Sequence, residues 1–157
     1  MKAFLARAAI ESGLGNTRMI GTLILTHGGV ARELLAAAEK IAGRQEHFAA
    51  VCLGWDDDCD TAERKIQAGI RQVEAGDGVL VLTDTYGGTP CNLALHFRVA
   101  GKVEVVSGVN LPMVMRLACN GNRRPAGLAE IAEWLQDKGR ESIRVAGERP
   151  ALAACEK

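Results

Sequence analysis

The feature that most constrains this chain is a repeated unit: a short apolar run ends in a polar residue, turns on glycine and passes into a helical pattern. Ile20-Gly21-Thr22-Leu23-Ile24-Leu25-Thr26 is closed by His27-Gly28-Gly29. Val30 to Ala42 follows with Leu34, Ala38 and Ile41 at helical spacing, and Gly43 is its stop. Phe48 to Leu53 is the second run. The acidic loop Asp56-Asp57-Asp58 then precedes a helix whose apolar face is Ala62, Ile66, Ile70 and Val73; aspartates there suit the free N–H groups and the helix dipole.

The third unit is the clearest. Gly78-Val79-Leu80-Val81-Leu82-Thr83 is unbroken, ends at Asp84, and turns through Thr85-Tyr86-Gly87-Gly88. Thr89 is expected to cap the next helix, with Pro90 in its first position and the helix running to about Val99. Val103 to Val106 is a fourth run, followed by Gly108-Val109-Asn110-Leu111-Pro112 and a helix to about Asn120. After a polar joint, Asn120 to Gly127, comes a last helix with Leu128, Ile131 and Leu135 in register, and Ser142 to Val145 reads as a final strand.

Runs that are apolar on both faces, joined by short connections through helices, predict an α/β fold. The expected architecture is an open, doubly wound, mostly parallel sheet with helices on both faces. One domain is expected over residues 19–147. Residues 1–18 read as a disordered leader or the product of an upstream start, since Met19 directly precedes the first run, and residues 148–157 read as a flexible tail.

Composition excludes several classes. The chain of 157 residues carries 19 Lys and Arg against 19 Asp and Glu, so it has no electrostatic footprint for a polyanion. Three Phe, two Trp and one Tyr make a poor base-stacking platform. Neither nucleic acid nor direct membrane insertion is expected, because no run approaches the roughly 18 apolar residues of a span. Cys52, Cys59, Cys91, Cys119 and Cys155 are odd in number and form no C-x-x-C pair, which argues against a disulfide framework or a zinc site and for a reducing cytoplasm.

In open parallel sheets, ligands gather outside the carboxyl ends of the strands, where the strand order reverses. Two polar groups stand at such places: His27 after the first strand and Asp84 after the third. A carboxylate that accepts from imidazole Nδ1–H fixes the tautomer and leaves the Nε2 lone pair outward as a nucleophile. On position alone, two side chains that merely close turns fit equally well. The Gly87-Gly88-Thr89-Pro90 turn adds helix-start amides that suit a phosphoryl group, and Gly28 and Gly29 stand where amides from the other side would join; glycines that only let the chain turn fit as well. His47, in a polar joint, and His96, within a helix, read as solvated, and Cys91 as a small packed residue. No nucleotide or dinucleotide loop and no metal-ligand cluster is present in the sequence, so no cofactor and no metal are expected.

Three stretches carry a resemblance: Gly21 to Gly28, Leu82-Thr83-Asp84-Thr85-Tyr86-Gly87-Gly88-Thr89-Pro90-Cys91-Asn92, and Val106 to Met113. With their spacing, the chain resembles the mannose/fructose/sorbose family of enzyme IIA domains of the bacterial phosphoenolpyruvate:sugar phosphotransferase system. The resemblance implies that His27 receives a phosphoryl group from the histidine phosphocarrier protein HPr and passes it to a IIB component in carbohydrate uptake. It implies that Asp84 orients the imidazole and that Gly28, Gly87, Gly88 and Thr89 surround the phosphoryl oxygens. It also implies a cytoplasmic homodimer in which a C-terminal strand, here Ser142 to Val145, crosses to the partner subunit. The length suffices for one carrier domain, so donor and acceptor are expected in trans. Two alternatives stand beside this reading: the phosphotransfer subunit of dihydroxyacetone kinase, and a regulatory phosphorelay protein that serves no sugar transport.

Overall fold

The computed structural model describes residues 19–119 and 127–146. The expectations for residues 1–18, for most of the joint at 120–126 and for the tail lie outside them. Four strands form one sheet: β1 (Gly21–His27), β2 (Phe48–Leu53), β3 (Val79–Thr83) and β4 (Val103–Ser107). Its order is β2-β1-β3-β4, and every pairing is parallel. Five helices are described: α1 (Val30–Ala42), α2 (Cys59–Val73), α3 (Thr89–His96), α4 (Leu111–Cys119) and α5 (Leu128–Glu141).

The order explains the layers. The chain moves one way along the sheet from β1 to β2, then reverses to reach β3 and β4. With crossovers of one hand, a reversal sends the connecting helices to opposite faces. Ile24, Leu80, Leu82 and Val106 accordingly pack with Ala31 and Ala38 of α1, Met113 and Leu117 of α4, and Ile131 and Leu135 of α5. Leu23, Leu25, Val79 and Val81 point the other way, onto Ala62, Ile66 and Val73 of α2 and Leu93 and Ala94 of α3. β1 and β3 are therefore covered on both sides, which is why their sequences do not alternate. Each fully buried Leu among them contributes about 1.5–3 kcal/mol.

Three boundaries differ from the sequence reading. α3 stops at His96, not near Val99, because Val99 pairs antiparallel with Val103 in a tight return: the N–H of Val99 donates to Val103 O at 3.1 Å and that of Val103 to Val99 O at 2.8 Å. The N-cap of α3 is Gly88, and Thr89 is its first helical residue; the Gly88 side has no hydroxyl, and the turn is closed by Asn92, whose Nδ2 donates to Gly87 O at 3.0 Å. Ser142 to Val145 is not a strand of this sheet. α5 runs on to Glu141, Ser142 Oγ donates to Gly139 O at 2.6 Å to close the helix, and Ile143 and Val145 face solvent.

Asn110 ties the third motif into the fold. Its Oδ1 accepts from Met113 N–H at 3.1 Å at the start of α4, and its Nδ2 reaches Gly139 O on α5 at 3.4 Å. This fixes the loop that follows β4.

Candidate phosphoryl-acceptor site

The strand order reverses between β1 and β3, and the candidate site lies at the carboxyl ends of that pair. Leu25 is in register with Thr83, so the two strands end side by side, and His27 and Asp84 emerge as neighbours. His27 Nδ1 stands 2.9 Å from Asp84 Oδ2, and the same oxygen accepts the main-chain N–H of His27 at 3.0 Å. Asp84 Oδ1 accepts the N–H of Thr85 at 2.9 Å. Burial pushes the Asp84 carboxyl upward, but the ring and main-chain hydrogen bonds of His27 outweigh it and hold the group below its ordinary range. An ionised carboxylate can only accept. Nδ1 therefore carries a proton, and in the neutral ring Nε2 carries the lone pair.

The ring is confined on two further sides. A Cβ at Gly88 would stand 2.9 Å from His27 Cε1 and 3.6 Å from Nε2, so only glycine leaves room for the imidazole. The indole of Trp55, in the loop after β2, stacks on the imidazole with ring centroids 5.7 Å apart and planes inclined by 19°. Trp55 escaped the sequence reading, which searched the strand ends for polar groups. Its position two residues past β2 was the available signal.

His27 itself is placed by its neighbours in the chain. Gly28 takes a φ of +50°, which turns the backbone sharply out of β1. Thr26, fully buried, accepts the N–H of Ala31 at 2.7 Å through Oγ1 and donates to His27 O at 3.2 Å. It thus caps α1 in place of Gly29, which has no side chain to do so.

The four residues expected around a phosphoryl group divide into two kinds. The amide of Gly28 is committed to Leu53 O at 2.8 Å and that of Gly88 to Thr85 O at 3.2 Å. Among the described residues, the amides of Gly87 and Thr89 have no protein acceptor, and Thr89 is exposed at the start of α3. They stand at the positive end of the helix dipole beside Gly88.

The other candidates lie apart. Asp58 caps α2 through Thr61 N–H at 2.7 Å, and Asp57 accepts from Gly54 N–H and pairs with Lys65 Nζ at 2.6 Å. His96 pairs with Glu63 at 3.1 Å on the surface between α2 and α3. His47 precedes β2, at the end of the sheet opposite the site. Cys91 is buried in the first turn of α3.

A histidine hydrogen-bonded to a carboxylate at the switch point of a parallel sheet, with open helix-start amides beside it, is the candidate site of this α/β fold. The chain belongs to the mannose/fructose family of IIA components of the phosphotransferase system: the family model described as the fructose IIA component of that system matches residues 21–136. It is 32% identical over 141 residues to the mannose-specific EIIAB component of Escherichia coli, an alignment that takes in 86% of this chain and 42% of that protein. The chain thus spans less than half the length of that curated relative. It is 26% identical over 131 residues to the fructose-specific EIIA component of Bacillus subtilis, covering 83% of this chain and 88% of the relative. Among solved structures, the mannose/sorbose-specific IIA subunit from Enterococcus faecalis superposes with a TM-score of 0.72 at 28% identity, covering 86% of this chain and 99% of that one. Among the described residues no helix is long and apolar enough to cross a membrane.

Proposed function

We propose that this chain is a phosphoryl carrier whose acceptor atom is Nε2 of His27, loaded by phosphorylated HPr and unloaded by a IIB component in carbohydrate uptake. The observation that carries the reading is the double hydrogen bond from His27 to Asp84, at 2.9 and 3.0 Å, which fixes the tautomer with the Nε2 lone pair free. In the transfer, the Nε2 lone pair attacks phosphorus in line as the donor P–N bond breaks. The electron pair of that bond returns to the donor nitrogen, and the Nδ1 proton stays on Asp84's side of the ring. The chemistry asks for positioning and for neutralisation of spread negative charge more than for covalent help. The open amides of Gly87 and Thr89 supply the second, while Gly28 and Gly88 shape the backbone around the ring. No cofactor or metal has a part in this scheme, and the protein partners place it in the cytoplasm.

A homodimer belongs to the same proposal. β4 is an edge strand, and the cleft beside it, of about 410 Å³, is lined by Leu95, Val105, Ser107, Ala132 and Gln136. Ile143 and Val145 are exposed and leave α5 as an unpaired segment suited to such an edge. Sedimentation of a monomer at micromolar concentration would refute the dimer without touching the carrier role.

The carrier role is tested by incubating the full chain with phosphoenolpyruvate, enzyme I and HPr. Acid-labile phosphate on His27 is expected, and none on the His27→Ala chain. Undiminished labelling of that variant overturns the assignment.

A further inference from the structure

We propose that Trp55 is a positioning residue for the transfer, whose indole face favours the phosphorylated state of His27 over the unphosphorylated one. The proposal rests on the carrier reading above and extends it to a residue outside the motifs that identified the family.

The argument begins with what Trp55 does not do. Its side chain is 83% exposed and lies outside both core clusters, so it adds little to the packing that holds the domain together. Among the described residues, the ring it meets is His27, at 5.7 Å between centroids and 19° between planes. That separation lies within the roughly 6 Å over which an aromatic face attracts a cation. The indole also lies against the turn at Gly28, where a Cβ would stand 4.0 Å from its Nε1, an ordinary contact.

The charge on the imidazole changes during transfer. Before it, the ring is neutral, with a proton on Nδ1 and a lone pair on Nε2. Afterwards the lone pair forms the new P–N bond, while Asp84 still holds the Nδ1 proton. The five-membered ring then bears a delocalised positive charge beside a phosphoryl group that carries the negative charge. A π face attracts that ring more strongly than the neutral one. Trp55 thus has a differential interaction with the two states, the condition for shifting their equilibrium. Asp84 acts on the same charge from the ring edge, and the absence of a side chain at Gly88 leaves the ring its place beside Trp55.

The partition of phosphate at equilibrium tests this. Phosphorylated HPr is mixed with the full chain, and the label on each protein is counted once it stops moving. That constant depends only on the separate proteins, so any contribution of Trp55 to docking cancels from it and appears in the rate alone. With Trp55→Leu, which keeps an apolar side chain without a π face, the partition is expected to move roughly two- to fivefold toward HPr. Trp55→Phe is expected to recover part of the loss, since its face is the weaker of the two. A partition unchanged in Trp55→Leu overturns the proposal, whether or not transfer slows. Should Trp55→Leu fail to fold, Trp55→Phe against wild type decides it, equality overturning the proposal. A wild-type chain that takes no label overturns the carrier reading itself, and this inference with it.

Discussion

Asp84 Oδ2 accepts two hydrogen bonds from one residue, the main-chain N–H of His27 at 3.0 Å and its ring Nδ1–H at 2.9 Å. The first anchors the carboxylate to the end of β1, and the second is therefore aimed by the sheet rather than by side-chain freedom. Asp84→Asn keeps the shape but offers an amide whose N–H2 can face the ring and reverse the tautomer. Phosphoryl transfer to the variant is expected to slow between about 10- and 10⁴-fold, the larger figure being that of a wrong tautomer in a hydrolytic triad. Rapid-quench transfer from phosphorylated HPr measures it, and an unchanged rate removes Asp84 from the scheme.

The same carboxylate links stability to pH. Its folded-state value is held below the ordinary 3.8, so its contribution is fully present above that value and is lost as pH falls through the lower, folded one. The urea-denaturation gap between wild type and Asp84→Asn is expected to be widest near neutrality and to close below about pH 3.8. Asp57, Asp58 and Glu141 are held low as well, by hydrogen bonds with Thr61 or Lys partners, but they are common to both chains and cancel in the difference. A gap that stays constant down to about pH 2.5 would show that the charge of Asp84 plays no part.

Gly88 separates activity from stability. Its backbone, φ −74° and ψ 165°, suits any residue, so Gly88→Ala carries no backbone strain. The added Cβ nevertheless meets His27 Cε1 at 2.9 Å and must displace the ring. A misplacement of about 1 Å can cost 10²-fold in a reaction that depends on alignment. Transfer is expected to fall at least about tenfold with a change in stability below about 1 kcal/mol. Equal loss of both would mean that Gly88 serves the fold and not the ring.

How much of this was legible in the sequence follows from what each residue's signal is made of. β1 and β3 were plain because a strand buried on both faces must be apolar throughout, and Asp84 was plain because it breaks such a run. The end of α3 was not, since the Val99–Val103 bridge is a contact made by main chain, to which periodicity is blind. Trp55 was missed because the strand ends were searched for polar groups; its place two residues past β2 was the signal, but the ring it stacks on lies on another strand. Thr89 looked like a cap because threonine commonly is one, yet Gly88 precedes it in the geometry that the helix start requires. Ser142 to Val145 had β-like composition, but among the described residues it pairs with no strand.

Thr26 offers a test of how the site is anchored. It is fully buried, and its Oγ1 takes the N–H of Ala31 at 2.7 Å. Thr26→Val keeps the volume and leaves that buried donor unpaired. A stability loss of about 1–2 kcal/mol is expected in urea denaturation. A loss below about 0.5 kcal/mol would mean that water or a rearranged turn replaces the cap.

Gly69 poses a contest between two effects of opposite sign. In the interior of α2, alanine is favoured over glycine by about 1 kcal/mol on propensity alone. A Cβ there, however, would stand 2.8 Å from Leu23 Cδ1 on β1 and 2.8 Å from Val51 Cγ2 on β2. Leu23 is fully buried and Val51 partly so against the same cluster, so Leu23 cannot withdraw without disturbing the layer between α2 and the sheet. Overpacking of this kind costs about 1–3 kcal/mol. Packing therefore wins, and Gly69→Ala is expected to destabilise by about 0.5–2 kcal/mol despite the better helix former. A stabilised variant in thermal and urea unfolding would show that α2 can lift from the sheet at no cost, and that the close approach of helix and strand is not what fixes glycine at this position.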